Sequence, residues 1–584
     1  MYRKKYLFFP GSKEEGCIVG AEDLYAPARG YGFVTEKNME QQAPLQLPEL
    51  NGGFVPAPWY RSRELTVISQ ESTGCAVRQE NREIKDRQIP LRFKCDVPGN
   101  GSYRIKVVIH AREDMNDIRV FTGRRSLAAY REKLSAGEKW CSEAYIEVCP
   151  IIPRGKENAY DNCCIELAVT ADNPCLSEVE IEEINCPVLY IAGDSTVTDQ
   201  SAEYPYAPGA SYAGWGQMFP CFIKGELAVS NHAHSGLTTE SFKQEGHYRI
   251  LQEHLKAGDF VLFQFGHNDQ KLMHLKAREG YCRNLETYIA ECRDKKAFPV
   301  LVTPVARNSW RGSDGSYNDL LAEYADACLE IGDKLKVPVL DLHKLSMEFV
   351  TELKKEGAKK YFFPSDYTHY NDFGAQRMAA MICREIKRVC GSHSAGYKWL
   401  AEQIADTLEL WEEPSIIKPL EKPEGFEGNE SENEGYEQPE RPSEPLLRAE
   451  ALDMVIRRAG FFMTNVYNDL FTDVIGHEWY AGVVECGLQN GIVTERLCGG
   501  RKFRPSEPVT LLDFVIFLML AYAGRRTLPE QQASPYDDKI PDEIKIYISA
   551  ACQLGVLAKD GEDQLDGNIS RERGAQICRR LKIQ

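Results

Sequence analysis

Four short segments carry side chains whose types and spacing fit one reaction. They are GDST at Gly193–Thr196, NHAHSG at Asn231–Gly236, GHND at Gly266–Asp269 and DYTH at Asp366–His369. A serine hydroxyl is a poor nucleophile until a base takes its proton, and that base needs a third group to orient it. Ser195, His369 and Asp366 have the side chains for those three tasks. The i, i+3 spacing of Asp366 and His369 lets both project from one short turn. A tetrahedral acyl intermediate also needs preorganised donors for its oxyanion. The Ser195 and Gly236 backbone N–H groups and the Asn268 amide suit that need, Gly236 because the absence of a Cβ lets backbone approach substrate closely. Each segment alone has a plainer reading: Ser195 as a helix cap, Gly236 and Asn268 as turn or cap residues, Asp366 and His369 as an Asx turn beside a surface histidine. The four together favour serine-dependent acyl transfer, for which neither metal nor cofactor is needed. His232 and His234 stand at i, i+2 on one strand face, with no third ligand evident for a metal.

The surrounding pattern supplies the elements that must hold these residues. Between 187 and 400 the runs PVLYIAG, LAVSNHA, FVLFQFG, FPVLVTP and VPVLDL are short and continuously apolar, as strands buried on both faces of a parallel sheet are. Helical stretches over Asn284–Lys295, Tyr317–Lys334, Lys344–Lys359 and Phe373–Val389 alternate with them. This alternation predicts a three-layer, flavodoxin-like α/β domain, whose ligands sit beyond the carboxyl ends of the strands. The first three segments fall at such ends.

Residues 1–186 alternate apolar and polar positions between Gly and Pro turns, which predicts an antiparallel β-sandwich. Residues 401–445 are expected to hold the end of a helix and then a linker. Residues 412–445 contain eleven Glu against two Lys and one Arg, a net of 3 − 11 = −8, with many Pro and Gly. About half of the chain's formal charge of −17 therefore sits in this tether. The acidic balance argues against a nucleic-acid partner, which needs a basic stripe. The longest apolar run, Phe514–Ala523, is about half of what a membrane span requires. The N-terminal apolar run breaks at Pro10, too short for a secretory leader, so a cytoplasmic location is expected, with the cell surface as the alternative. The 19 scattered cysteines, many inside apolar runs, read as buried free thiols. In residues 446–584 a helix–loop–helix unit recurs at a period near 60, which predicts stacked all-α repeats sharing a core.

The constellation resembles the SGNH (GDSL-type) hydrolases and, within them, the rhamnogalacturonan acetylesterases of carbohydrate esterase family 12. The likeness rests on AGDSTV at Ala192–Val197, YAGWGQMFP at Tyr212–Pro220, the NHAHSG–LTTESF run, FQFGHNDQK at Phe263–Lys271, TPVAR at Thr303–Arg307 and DYTHYNDFGAQRMA at Asp366–Ala379. The family often has Arg and Ser after the second-segment glycine, where this chain has Leu237 and Thr238. The resemblance implies removal of O-acetyl groups from pectic rhamnogalacturonan, through Ser195, Gly236, Asn268, Asp366 and His369. The expected partner is then an acetylated oligo- or polysaccharide, acetyl-xylan or another acetyl-glycan being the alternative substrate. His267 and Asp269 are candidates to line the acetyl or sugar pocket. Trp215 is a candidate to stack on a sugar, with core packing as the other reading, and Trp59–Tyr60 is a candidate carbohydrate platform. The N-terminal part looks like the galactose-binding-like sandwich that precedes some bacterial members. Residues 446–584 resemble surface-layer homology repeats, whose motif is best kept at Leu447–Glu450. That likeness implies contact with cell-wall polymer or protein, and leaves a wall- or glycan-binding module with an idle hydrolase domain as the rival of another class.

Overall fold

The computed structural model describes residues 2–10, 15–39, 53–57, 64–77, 87–153, 158–161, 163–310, 315–364, 366–408, 442–461, 471–474, 479–498 and 502–581. Trp59–Tyr60 and nearly all of the expected linker lie outside the described residues. The chain groups into two compact units: Met1–Ala306, Leu321–Pro364 and His369–Phe426 form the first, Arg307–Leu320, Ser365–Thr368 and Glu427–Gln584 the second.

The first unit is built on a ten-stranded sheet. Its order is Cys17–Ile18, Arg3–Leu7, Glu178–Ile184, Gly101–His110, Lys139–Val148, Ala228–Asn231, Val188–Gly193, Phe260–Gln264, Phe298–Val302 and Val339–Leu340. The last five run parallel. Numbered along the chain, they lie in the order 2-1-3-4-5, the flavodoxin-like arrangement. Val188–Gly193 and Phe260–Gln264 are buried at every residue, as their continuous apolar sequences require. Side chains from one face of this sheet, Val188, Tyr190, Val261 and Phe263 among them, form a core with helices Cys282–Asp294 and Ala322–Leu335. The second of these helices starts later than its sequence suggests, because Tyr317 is drawn into a β-bridge with Trp310.

The antiparallel strands expected before residue 186 are present, but that position does not divide the sheet. Lys139–Val148 pairs antiparallel with Gly101–His110 on one edge and, through Ile146 and Val229, parallel with Ala228–Asn231 on the other. An open edge leaves unpaired N–H and C=O groups, and the parallel strand meets this one at that single pair. A second, five-stranded antiparallel sheet runs Ser126–Leu134, Met115–Thr122, Cys164–Thr170, Leu91–Asp96, Tyr31–Val34. All 19 cysteines are free thiols.

In the second unit, helices Arg448–Arg458, Ala481–Gln489, Leu511–Ala523, Lys545–Gln553 and Arg571–Arg580 share one apolar core. Leu447, Thr510 and Ser570 each precede a helix at about the repeat period. They are joined in a ring by the bridges Leu447–Pro508, Thr510–Asn568 and Pro445–Ser570. Arg448 reaches Asp513, and Arg571 reaches Glu450 and Glu444, so the first and third units each grip the next. The corresponding place in the second unit is Leu511, and Arg573 pairs with Asp563 instead. The apolar run Phe514–Ala523 lies in a helix of this core, and no helix among the described residues is long and apolar enough to cross a membrane.

Candidate active site

The strand order reverses between Val188–Gly193 and Phe260–Gln264, and the crevice beyond their carboxyl ends is where such sheets hold ligands. Ser195 stands two residues past the first strand and Asn268 four past the second. Ser195 Oγ lies 2.8 Å from His369 Nε2. For that nitrogen to take the hydroxyl proton it must be bare, so the neutral ring carries its proton on Nδ1. Both side chains are half-buried, Gly236 is exposed, and Asn268 is buried.

A chain of buried hydrogen bonds fixes the serine turn. Asp194 Oδ1 accepts from the Thr196 N–H at 2.9 Å and from its hydroxyl at 2.8 Å. Gln264 Nε2 donates to Thr196 Oγ1 at 2.8 Å, and Trp215 Nε1 donates to Gln264 Oε1 at 2.7 Å. On its other side, Asp194 Oδ2 is 3.2 Å from His267 Nδ1, while His267 Nε2 faces the Val305 carbonyl at 2.9 Å. Two acceptors on one imidazole suit the doubly protonated ring. Burial works against the Asp194 charge, but His267 and the Thr196 hydrogen bonds outweigh it and hold its pKa below the ordinary value.

Three of the expected pocket residues therefore have other places. Trp215 is 1 % exposed and His267 2 %, and both are tied into the layer beneath the serine. Asp269 is fully buried, accepting from Thr239 N–H at 2.9 Å, from the Thr239 hydroxyl at 2.5 Å and from Gly266 N–H at 3.2 Å. Burial pushes its pKa up to about 6. All three support the site from behind instead of lining a pocket, because each polar atom finds its partner in buried protein.

The oxyanion candidates sit on the loops these residues brace. Asn268 Nδ2 donates to the Leu237 carbonyl at 3.0 Å and its Oδ1 accepts from Lys271 Nζ at 2.8 Å, which sets the amide's orientation and leaves its second N–H for another acceptor. Gly236 has φ +89°, and a Cβ there would meet nothing within 4 Å, so backbone conformation and not crowding demands glycine. Asp366, three residues before His369, is buried and accepts the Thr368 N–H at 2.7 Å, an Asx turn. His232 is buried against Ser230 and Cys149, and burial lowers its pKa to about 3.

Several positioning residues carry no sequence signal of their own. Gln200 Nε2 donates to the Ser195 carbonyl at 3.1 Å and lies 3.3 Å from Ser235 Oγ. The Tyr212 ring stacks on Phe363 and meets His369 edge-on at 5.7 Å. Gly214 and Gly216 of the YAGWG run do carry one: a Cβ on either would lie within 2.6 Å of the Val197 backbone, so their absence lets the short helix Trp215–Met218 press against the serine loop.

The model of the GDSL-like lipase/acylhydrolase family matches residues 191–377. Over 214 residues the chain is 34 % identical to a rhamnogalacturonan acetylesterase of Bacillus subtilis (strain 168), an alignment covering 34 % of this chain and 90 % of that one. The chain belongs to this acylhydrolase family. It is also similar to a probable rhamnogalacturonan acetylesterase of the same organism, 31 % identical over 209 residues, covering 34 % of this chain and 93 % of the relative. A third relative, an uncharacterized esterase of that organism, is 25 % identical over 396 residues, covering 66 % of this chain and 90 % of its own length. The family membership makes the protein a hydrolase acting on esters.

Proposed function

We propose that the protein is a carbohydrate O-acetylesterase, with acetylated rhamnogalacturonan fragments as its substrate. The observation that carries the mechanism is the 2.8 Å approach of Ser195 Oγ to His369 Nε2 beside two donor-bearing loops. Ser195 Oγ attacks the acetyl carbonyl carbon as His369 Nε2 takes its proton. Gly236 N–H, Ser195 N–H and Asn268 Nδ2 receive the oxyanion. The C–O bond to the sugar breaks, and the sugar oxygen takes the proton from His369. Water, deprotonated in turn by His369, then releases acetate and restores Ser195. Asp366 orients the imidazole. The substrate class is supported by the curated relatives named rhamnogalacturonan acetylesterase.

The antiparallel strands of the N-terminal part are read as a β-sandwich, and the helical units of 446–584 as surface-layer-homology-like repeats. Arg448 and Glu450 of the best-kept motif are used in pairs between units, which supports a structural or interaction role over wall binding. The test is acetate release from acetylated rhamnogalacturonan oligosaccharides and from acetyl-xylan, by the intact protein and by Ser195→Ala. Faster release from the pectic substrate, lost in the variant, is the expected result. Preference for xylan overturns the substrate, and turnover that survives the substitution overturns the mechanism.

A further inference from the structure

Turn Gly123–Arg125 joins strands Met115–Thr122 and Ser126–Leu134 of the five-stranded sheet, far from the catalytic segments in sequence. Arg125 is fully buried, at φ +69°, a left-handed conformation that is strained for a residue with a side chain. Its guanidinium serves three segments at once. Nε donates to the Gln200 carbonyl at 2.9 Å, Nη2 to the Tyr212 carbonyl at 2.5 Å, and Nη1 to the Asp372 carboxylate. Each acceptor touches the reacting pair by one further step. The Gln200 side chain holds the Ser195 carbonyl. Tyr212 packs on the His369 ring, and the next N–H, of Ala213, donates to the Tyr370 carbonyl at 3.0 Å. Asp372 opens the helix that follows His369 and also accepts from the Tyr206 hydroxyl. The neighbouring Arg124 donates to the carbonyl of Asn231, the residue that begins the Gly236 segment, and Asn231 Nδ2 in turn donates to the Val197 carbonyl at 2.9 Å.

We propose that the Gly123–Arg125 turn is a positioning element for catalysis, Arg125 fixing the serine and histidine loops against each other and Arg124 fixing the oxyanion loop. The N-terminal sheet then acts as part of the catalytic scaffold. The planar fork of arginine meets three acceptors in fixed directions, which a lysine ammonium on a flexible stem cannot reproduce. The inference rests on the serine mechanism above.

The test uses the full chain, p-nitrophenyl acetate turnover, and the rate of Ser195 labelling by a fluorophosphonate. The variants are Arg125→Lys, Arg125→Met, the double Arg125→Met/Asp372→Asn, and Arg124→Gln. Arg125→Met leaves the Asp372 charge buried and unpaired, and the double variant removes that penalty, so its Tm rises above that of the single. We expect kcat and the labelling rate to stay down on the order of 10²-fold in both Arg125→Lys and the double variant, because small misplacement of reacting groups has effects of that size. KM stays within about threefold, the signature of lost transition-state alignment and not lost binding. A double variant whose Tm recovers and whose kcat is within about twofold of the parent overturns the proposal, since the pair then matters only for stability. If the Arg125 variants do not fold, Arg124→Gln decides: a labelling rate about tenfold lower supports the proposal, and an unchanged one refutes it. Ser195→Ala is run alongside. Turnover that survives it strikes the serine mechanism itself, whereas an inactive Ser195→Ala with a fast double variant strikes the positioning role alone.

Discussion

Replacing Trp215 by Phe separates two roles that its sequence context allows. The indole is 1 % exposed and donates to Gln264 Oε1, whose amide holds Thr196 beside Ser195. Phe keeps most of the apolar volume but removes the donor. A buried acceptor left without its partner costs about 1–3 kcal/mol. The smaller ring adds about 1–2 kcal/mol of lost packing. A loss near 3 kcal/mol lowers Tm by roughly 3–4 °C for a unit of about 400 residues, at about 2.1 cal/mol/K of unfolding entropy per residue. The Gln264 amide, released on one side, holds Thr196 less firmly, so kcat drops by about tenfold while KM moves less than about twofold. Thermal unfolding and steady-state kinetics on an acetylated oligosaccharide read both effects. Trp215→Phe/Gln264→Leu closes the cycle: removing both partners costs less stability than the sum of the two single losses, because neither partner is left buried and unpaired. An unchanged Tm with KM raised by more than about tenfold would refute the reasoning and place the indole against the sugar.

Other changes test the remaining parts. On the proposed mechanism Asn268→Ala removes an oxyanion donor and lowers kcat by about 10²–10³, with near-wild-type KM in the same assay. Gly236→Ala meets no neighbouring atom but forces an L residue to φ +89°, so it destabilises by about 1–2 kcal/mol in urea unfolding and re-aims the N–H, lowering kcat. Buried His232 titrates at about 3, below the ordinary histidine value near 6.5. Between those values the unfolded chain holds a proton that the folded chain lacks. The neutral ring's stabilisation is therefore full above about pH 6.5 and is lost as pH falls, by about 1.4 kcal/mol per unit. Urea unfolding of His232→Gln between pH 7 and 4.5 is expected to show that slope reduced, and an identical slope speaks against it.

The chemistry was legible where it is local. Gly193–Thr196 packs a strand end, a turn and a functional side chain into four residues, Gly266–Asp269 begins two residues past a strand end, and the continuous apolar runs before them fit doubly buried strands. The Leu447–Glu450 motif was visible too, but its use in pairing Arg448 with Asp513 depends on a unit some sixty residues away. His267 and Asp269 misled for a physical reason. A polar residue beside a catalytic one has the same sequence signature whether it faces substrate or a buried carbonyl, and only the partner 38 residues on, Val305, or 30 residues back, Thr239, tells the two apart.

The N-terminal contribution had the weakest signal of all. Two arginines in a Gly-containing hairpin turn read as a solvated loop, since charged residues are rarely buried unless paired. The partner that permits burial here, Asp372, is 247 residues away. The sheet joint likewise rests on one pair, Ile146 with Val229, which no local pattern encodes. Those two facts belong together. The Ala228–Asn231 strand is held along its length by Val188–Ile191, but the single-pair joint fixes the N-terminal strands against it only weakly, so the turn carrying Arg124 and Arg125 supplies the rest of that alignment through directional bonds to Asn231, Gln200, Tyr212 and Asp372. The strained φ at Arg125 is consistent with that demand: a backbone held in an unfavourable region persists where its surroundings over-determine it, and here the surroundings are the loops that carry Ser195, Gly236 and His369.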